Sequence, residues 1–179
     1  MQYVEVGQIM VNTDVESSIL VTEKVSYAVE LIAKSQPGSA LVVLSLEGII
    51  TGIITEKDII IALHRLGLNA LDAEVKDIMT EAPTICEADD TCEKVLMSMI
   101  SGNYRNMPIV KDKLFSDGVG SQVIFLEHIC GEINPTIIEE KFYEGKINES
   151  KLLNIENNSR KFKKYVKQAF PNLVKQICI

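Results

Sequence analysis

Tryptophan is absent from this 179-residue chain, histidine occurs twice, cysteine four times, and no apolar run approaches about eighteen residues. Each shortage excludes something. Without a long apolar run no transmembrane helix is expected. The N-terminal MQYVEVGQIM has no basic stretch leading into an apolar one, so no signal peptide is expected. His64 and His128 stand alone, and Cys86, Cys92, Cys130 and Cys178 form no CxxC pair, which argues against a metal site or a disulfide framework. Free thiols suit a cytoplasmic compartment. No phosphate-cradling or dinucleotide-binding glycine loop is present, and neither histidine has a nucleophile or carboxylate pattern beside it. Catalysis is therefore not expected.

Apolar material is plentiful. Hydrophobic residues make up 46% of the chain, enough for one ordinary domain or for two small repeats with a tail. The net charge of −7 is uneven: residues 1–133 carry nine Lys+Arg against twenty Asp+Glu, and residues 134–179 carry nine against five. An acidic body with a basic tail argues against a body that grips nucleic acid or anionic lipid.

The body repeats itself. Displaced by 66 residues, Val29 falls on Val95, Ser35 on Ser101, Val43 on Ile109, Gly52 on Gly118 and Thr55 on Ser121. Upstream, VGQIM (6–10) answers VKDIM (75–79), three residues out of that register. Each copy reads as a short strand (Ile19–Thr22, then Pro83–Cys86), a helix (Val25–Lys34, then Thr91–Ser101) and a second strand (Ala40–Leu46, then Asn106–Val110). A further strand and a final helix close each copy, giving β-α-β-β-α twice. The expected organisation is a first copy over 1–68, a second over 69–133, and a basic, helical tail over 134–179.

The stretch GIITEKD (52–58) carries the chemistry. Thr55 is a good helix N-cap, with Glu56 and Asp58 favoured in the first turn by the helix dipole. The same place is also suited to a ligand: a helix N-terminus behind a glycine turn attracts anions, and a carboxylate beside it accepts hydrogen bonds from a ribose.

The repeated order, the V-x-x-I-M lead-in, YRNMPIV (104–110) and GIITEKD closely resemble a pair of CBS domains, the type named after cystathionine β-synthase. The resemblance covers roughly residues 4–133. It implies an α+β fold of tandem CBS domains with pseudo-twofold symmetry and two clefts able to bind adenine nucleotides. It implies that Thr55 contacts phosphate, that Asp58 holds the ribose, and that the other copy's lead-in lines the adenine pocket. Ile53 is placed in this site, together with Thr80, Pro83 and Ile85 from Met79–Ile85. Arg105 is either a phosphate ligand or a solvated turn residue. With one arginine and an acidic body, AMP is expected over ADP, ATP or S-adenosylmethionine, with no required cofactor.

The second cleft looks altered. In the 66-residue register Ser121 retains the hydroxyl of Thr55, whereas Ile124 replaces Asp58, and GVG replaces GII. Seating Glu127 there instead breaks the ungapped register. Replacing the carboxylate by a hydrocarbon should weaken ribose binding by about 2–4 kcal/mol.

IIIAL (59–63) and VIFL (123–126), read as final helices, are too apolar for one buried face. Helix-to-helix homodimerisation, common in the family, would cover them; packing against the tail is the alternative. In the tail, SRKFKKYVKQAF (159–170) puts Phe162, Tyr165, Val166, Ala169 and Phe170 on one stripe, with lysines elsewhere. Packing on the acidic body is preferred over a membrane or RNA contact. The expected function is a non-enzymatic regulatory module that senses an adenosine-containing ligand and acts on a protein partner the sequence does not name. The alternative is an interaction module with vestigial clefts, whose basic tail binds a partner protein or RNA.

Overall fold

Leu41–Leu44 (LVVL) and Met107–Val110 (MPIV) are buried at every position. They become the strands around which two four-stranded sheets form. The computed structural model describes residues 5–12, 17–35, 39–111 and 129–134, together with 137, 138, 140 and 144. Its strands are β1 (Val11–Asn12), β2 (Ser18–Leu20), β3 (Leu41–Leu44), β4 (Ile50–Ile54), β5 (Thr80–Glu81), β6 (Cys86–Glu87), β7 (Met107–Val110) and β8 (Ile129–Ile133). Its helices are α1 (Val25–Lys34), α2 (Glu56–Leu66) and α3 (Cys92–Gly102). One sheet has the order β2-β3-β4-β5 and the other β1-β8-β7-β6.

Each helix forms because its apolar residues recur at helical spacing. Val25, Ala28 and Ile32 of α1 are buried, as are Cys92, Val95, Leu96, Met99 and Ile100 of α3. Helix α1 connects the parallel pair β2 and β3, and α3 connects the parallel pair β6 and β7, since parallel neighbours need a crossover. Strands β3 and β4 are antiparallel, and Gly48 adopts φ +80° in the turn between them, a conformation that favours glycine.

The two copies exchange their lead-in segments. Strand β1 belongs by sequence to the first copy but pairs with β8 of the second, while β5 belongs to the second and pairs with β4 of the first. The amides of Val6 and Gly7 donate to the carbonyls of Asp90 and Ala88, and those of Val75 and Lys76 donate to Glu23 and Val21. Val6 and Ile9 therefore lie in a core with Cys86, Val95, Leu96, Met99, Met107 and Ile109. Val75 lies in the other core, with Ile19, Val25, Leu41, Val43 and Ile54. Each core is completed by the opposite repeat.

One sequence expectation is corrected. Val43 pairs with Gly52 and Leu41 with Ile54; in the second sheet Ile109 pairs with Gly131 and Met107 with Ile133. Gly131, not Gly118, is therefore the counterpart of Gly52, thirteen residues beyond the position the 66-residue spacing gives. The cause is a longer connection: residues 111–128 separate β7 from β8, where only 45–49 separate β3 from β4. VIFL (123–126), expected in the helix after this strand, comes before β8 in the chain, and those residues lie outside the described ones. Past residue 133, Asn134 and Ile137 are buried and Ile138 joins the second core. The amphipathic stretch 159–170 lies outside the described residues.

Candidate functional site

At the end of β4 the chain leaves the sheet through Thr55, whose extended backbone (φ −125°, ψ 166°) makes it the N-cap of α2. The Asp58 amide donates to Thr55 Oγ1 at 3.4 Å, and the Thr55 amide donates to Asp58 Oδ2 at 2.8 Å. The Thr55 hydroxyl also donates to Asp58 Oδ2 at 2.6 Å. This is a reciprocal capping box closed by an aspartate. The capping role of this pair is thus real, and it presents one face of a carboxylate beside a helix N-terminus.

Strand β5 supplies the remaining side chain. Thr80 pairs with Ile53 of β4, and its hydroxyl donates to Asp58 Oδ1 at 3.3 Å. The approach is close enough to require glycine at position 52, where a Cβ would meet Met79 Sδ at 2.6 Å and the Thr80 carbonyl oxygen at 2.9 Å. Beyond β5, Ala82 turns the chain with φ +46°, its amide donating to the Thr51 carbonyl at 3.1 Å. Pro83 and Ile85 follow, both half-buried, on the crossing to β6.

Of the residues expected in the site, Thr55, Asp58, Ile53 and Thr80 are therefore brought together, and Pro83 and Ile85 lie on the adjoining crossover. Arg105 is placed differently. It is exposed two residues before Met107, which pairs with Ile133, so it stands at the end of the second sheet rather than of the first.

The second copy repeats the backbone without the chemistry. Ser121 and Ile124 lie outside the described residues. In the observed register Asn134 corresponds to Thr55 and Ile137 to Asp58, and Val11 of β1 corresponds to Thr80 of β5. Asn134 still caps a helical turn, its Oδ1 accepting from the Ile137 amide at 3.0 Å. Ile137 is 3% exposed and offers no acceptor. A gapped alignment of GEINPTI (131–137) with GIITEKD would have found these positions, because proline after a capping asparagine signals a helix start.

Two four-stranded sheets with exchanged lead-ins, and a capped carboxylate beside the exchanged strand, define a tandem-repeat α+β module. Residues 6–65 and 75–115 match the CBS domain, more than half of the chain, and the protein belongs to that family. The second match stops inside the long β7–β8 connection. Solved structures share the tandem fold. The CBS domain pair of protein MJ0100, in complex with 5-methylthioadenosine and S-adenosyl-L-methionine, is similar with a TM-score of 0.61 and 20% identity over 82% of this chain and 100% of that one. CBSX2 in complex with AMP aligns with a TM-score of 0.58 and 18% identity over 80% and 98%. The CBS-domain containing protein ATU1752 from Agrobacterium tumefaciens gives 0.56 and 21% over 73% and 83%. The comparison with curated proteins gave no match. Among the described residues, no helix is long and apolar enough to cross a membrane.

Proposed function

We propose that this chain is a non-enzymatic regulatory module that binds one adenosine-containing ligand, AMP in preference to ADP, ATP or S-adenosylmethionine. The site is the cleft at Thr55, Asp58, Ile53 and Thr80, with Pro83 and Ile85 against the base. The observation that carries this reading is the meeting of the Asp58 carboxylate with Thr80, a residue of the other repeat. A ligand there touches both copies at once. Its differential affinity for two inter-copy arrangements would shift their populations, and a regulated protein partner would read the shift.

The two ligand-bound relatives named above hold compounds that share an adenosine group, which supports the ligand class. AMP is preferred because an acidic body tolerates one phosphate more easily than three. A homodimer through the exposed face of α2 and a cytoplasmic location complete the proposal. Calorimetric titration with AMP, ADP, ATP and S-adenosylmethionine tests it. AMP should bind most tightly, and absence of heat with all four would leave an interaction module with vestigial clefts.

A further inference from the structure

We propose that the Thr80 hydroxyl is a built-in competitor for one hydroxyl of a cis-diol ligand at Asp58, and so sets how the site distinguishes ribose from deoxyribose. This rests on the adenosine site proposed above and adds a residue role to it. An ionised carboxylate offers about four acceptor positions. Oδ2 of Asp58 already accepts from the Thr55 amide at 2.8 Å and the Thr55 hydroxyl at 2.6 Å, and Oδ1 accepts from Thr80 at 3.3 Å. Roughly one position is left, whereas a cis-diol brings two donors. Seating both therefore displaces the Thr80 hydroxyl, whose bond is longer than those from the Thr55 amide and hydroxyl to Oδ2. Seating one does not.

The internal repeat gives independent support. In the strand register Ile137 corresponds to Asp58 and Val11 to Thr80, so the copy whose sequence has no carboxylate at the first position has no hydroxyl at the second. Displacement also has somewhere to go. Strand β5 is two residues long and is followed by Ala82 at φ +46° and the crossover to β6. Releasing Thr80 removes a side-chain tie between the first copy's helix and the segment that leads into the second copy.

The test is calorimetric titration of the full chain and of Thr80→Val with AMP, 2′-deoxy-AMP and 3′-deoxy-AMP. Valine keeps the shape and removes the donor. Thr80→Val should tighten AMP by about three- to tenfold, the size of one modest hydrogen bond. Both deoxy analogues should stay within about twofold of their unmutated values, since neither has to displace Thr80. Weaker AMP binding in Thr80→Val would make Thr80 a direct ligand contact; the site would stand and the competitor role would fall. An equal change for all three ligands, or no change for AMP, would also overturn it. If none of the three binds the unmutated chain, the adenosine site itself falls and this role falls with it.

Discussion

Val6 and Val75 occupy each other's repeat. Both are fully buried, Val6 among residues of the second copy and Val75 among residues of the first. Each lead-in is thus core of the other repeat, and the exchange is what lays Thr80 beside Asp58.

Val75→Ala and Val6→Ala should each lower stability by about 2 kcal/mol, the cost of lost burial plus an incompletely closed cavity. Urea unfolding measures this. Linker positions on the surface would stay within about 0.5 kcal/mol, and that result would contradict the exchanged cores.

The asymmetry of the two clefts predicts one nucleotide per chain. Asp58→Asn keeps an acceptor for the Thr55 cap but removes the charge, so AMP affinity should fall about ten- to a hundredfold with little change in melting temperature. Ile137→Ala should do the reverse, lowering stability through its buried site while leaving affinity nearly unchanged. A fitted stoichiometry of two equivalent sites, or nucleotide loss on changing Ile137 alone, would reverse the assignment.

The outer face of α2 predicts self-association. Ile60 is 64% exposed and Ile61 45%, and Leu68 beyond the helix is 79% exposed, apolar surface that a second copy of the chain would cover. Sedimentation velocity at micromolar concentration should give a dimer, and Ile60→Lys/Ile61→Lys should give a monomer with an unchanged fold. A monomeric parent chain would refute this.

Cys92 predicts an alkaline effect. Burial pushes its thiol from the ordinary 9.0 up to about 12. A raised folded value favours the protonated thiol, so the contribution is fully present below pH 9 and is lost as pH rises toward 12. Over that window the unfolded chain ionises first, and stability should fall by up to about 1.4 kcal/mol per pH unit from this group. Cys92→Ala should flatten the slope accordingly. Iodoacetamide at pH 8 should leave Cys92 unmodified in the native chain, as peptide mass mapping would show, and rapid labelling would contradict the burial.

Much of the architecture was legible in the sequence because it rests on local patterns. The spacing of Val25, Ala28 and Ile32 determined α1, and Thr91 at the start of an apolar period determined α3, with the Thr91 hydroxyl accepting from the Lys94 amide. Thr55 with Asp58 three residues on determined a capped helix, whether or not a ligand binds there. That the Asp58 position carries isoleucine in the second copy was also in the sequence, though at Ile137 rather than Ile124. The ungapped 66-residue register failed there because period alone does not reveal where a loop has lengthened; only strand pairing, Ile109 with Gly131, fixes the count. What tertiary structure alone decided is which repeat each lead-in completes. VGQIM and VKDIM share the same apolar Val, Ile and Met, and either could cover its own core. Hydrophobic burial is non-directional, so the choice falls to directed contacts: the Val6 and Val75 amides donating across to Asp90 and Glu23, and the close passage of Met79 and Thr80 over Gly52.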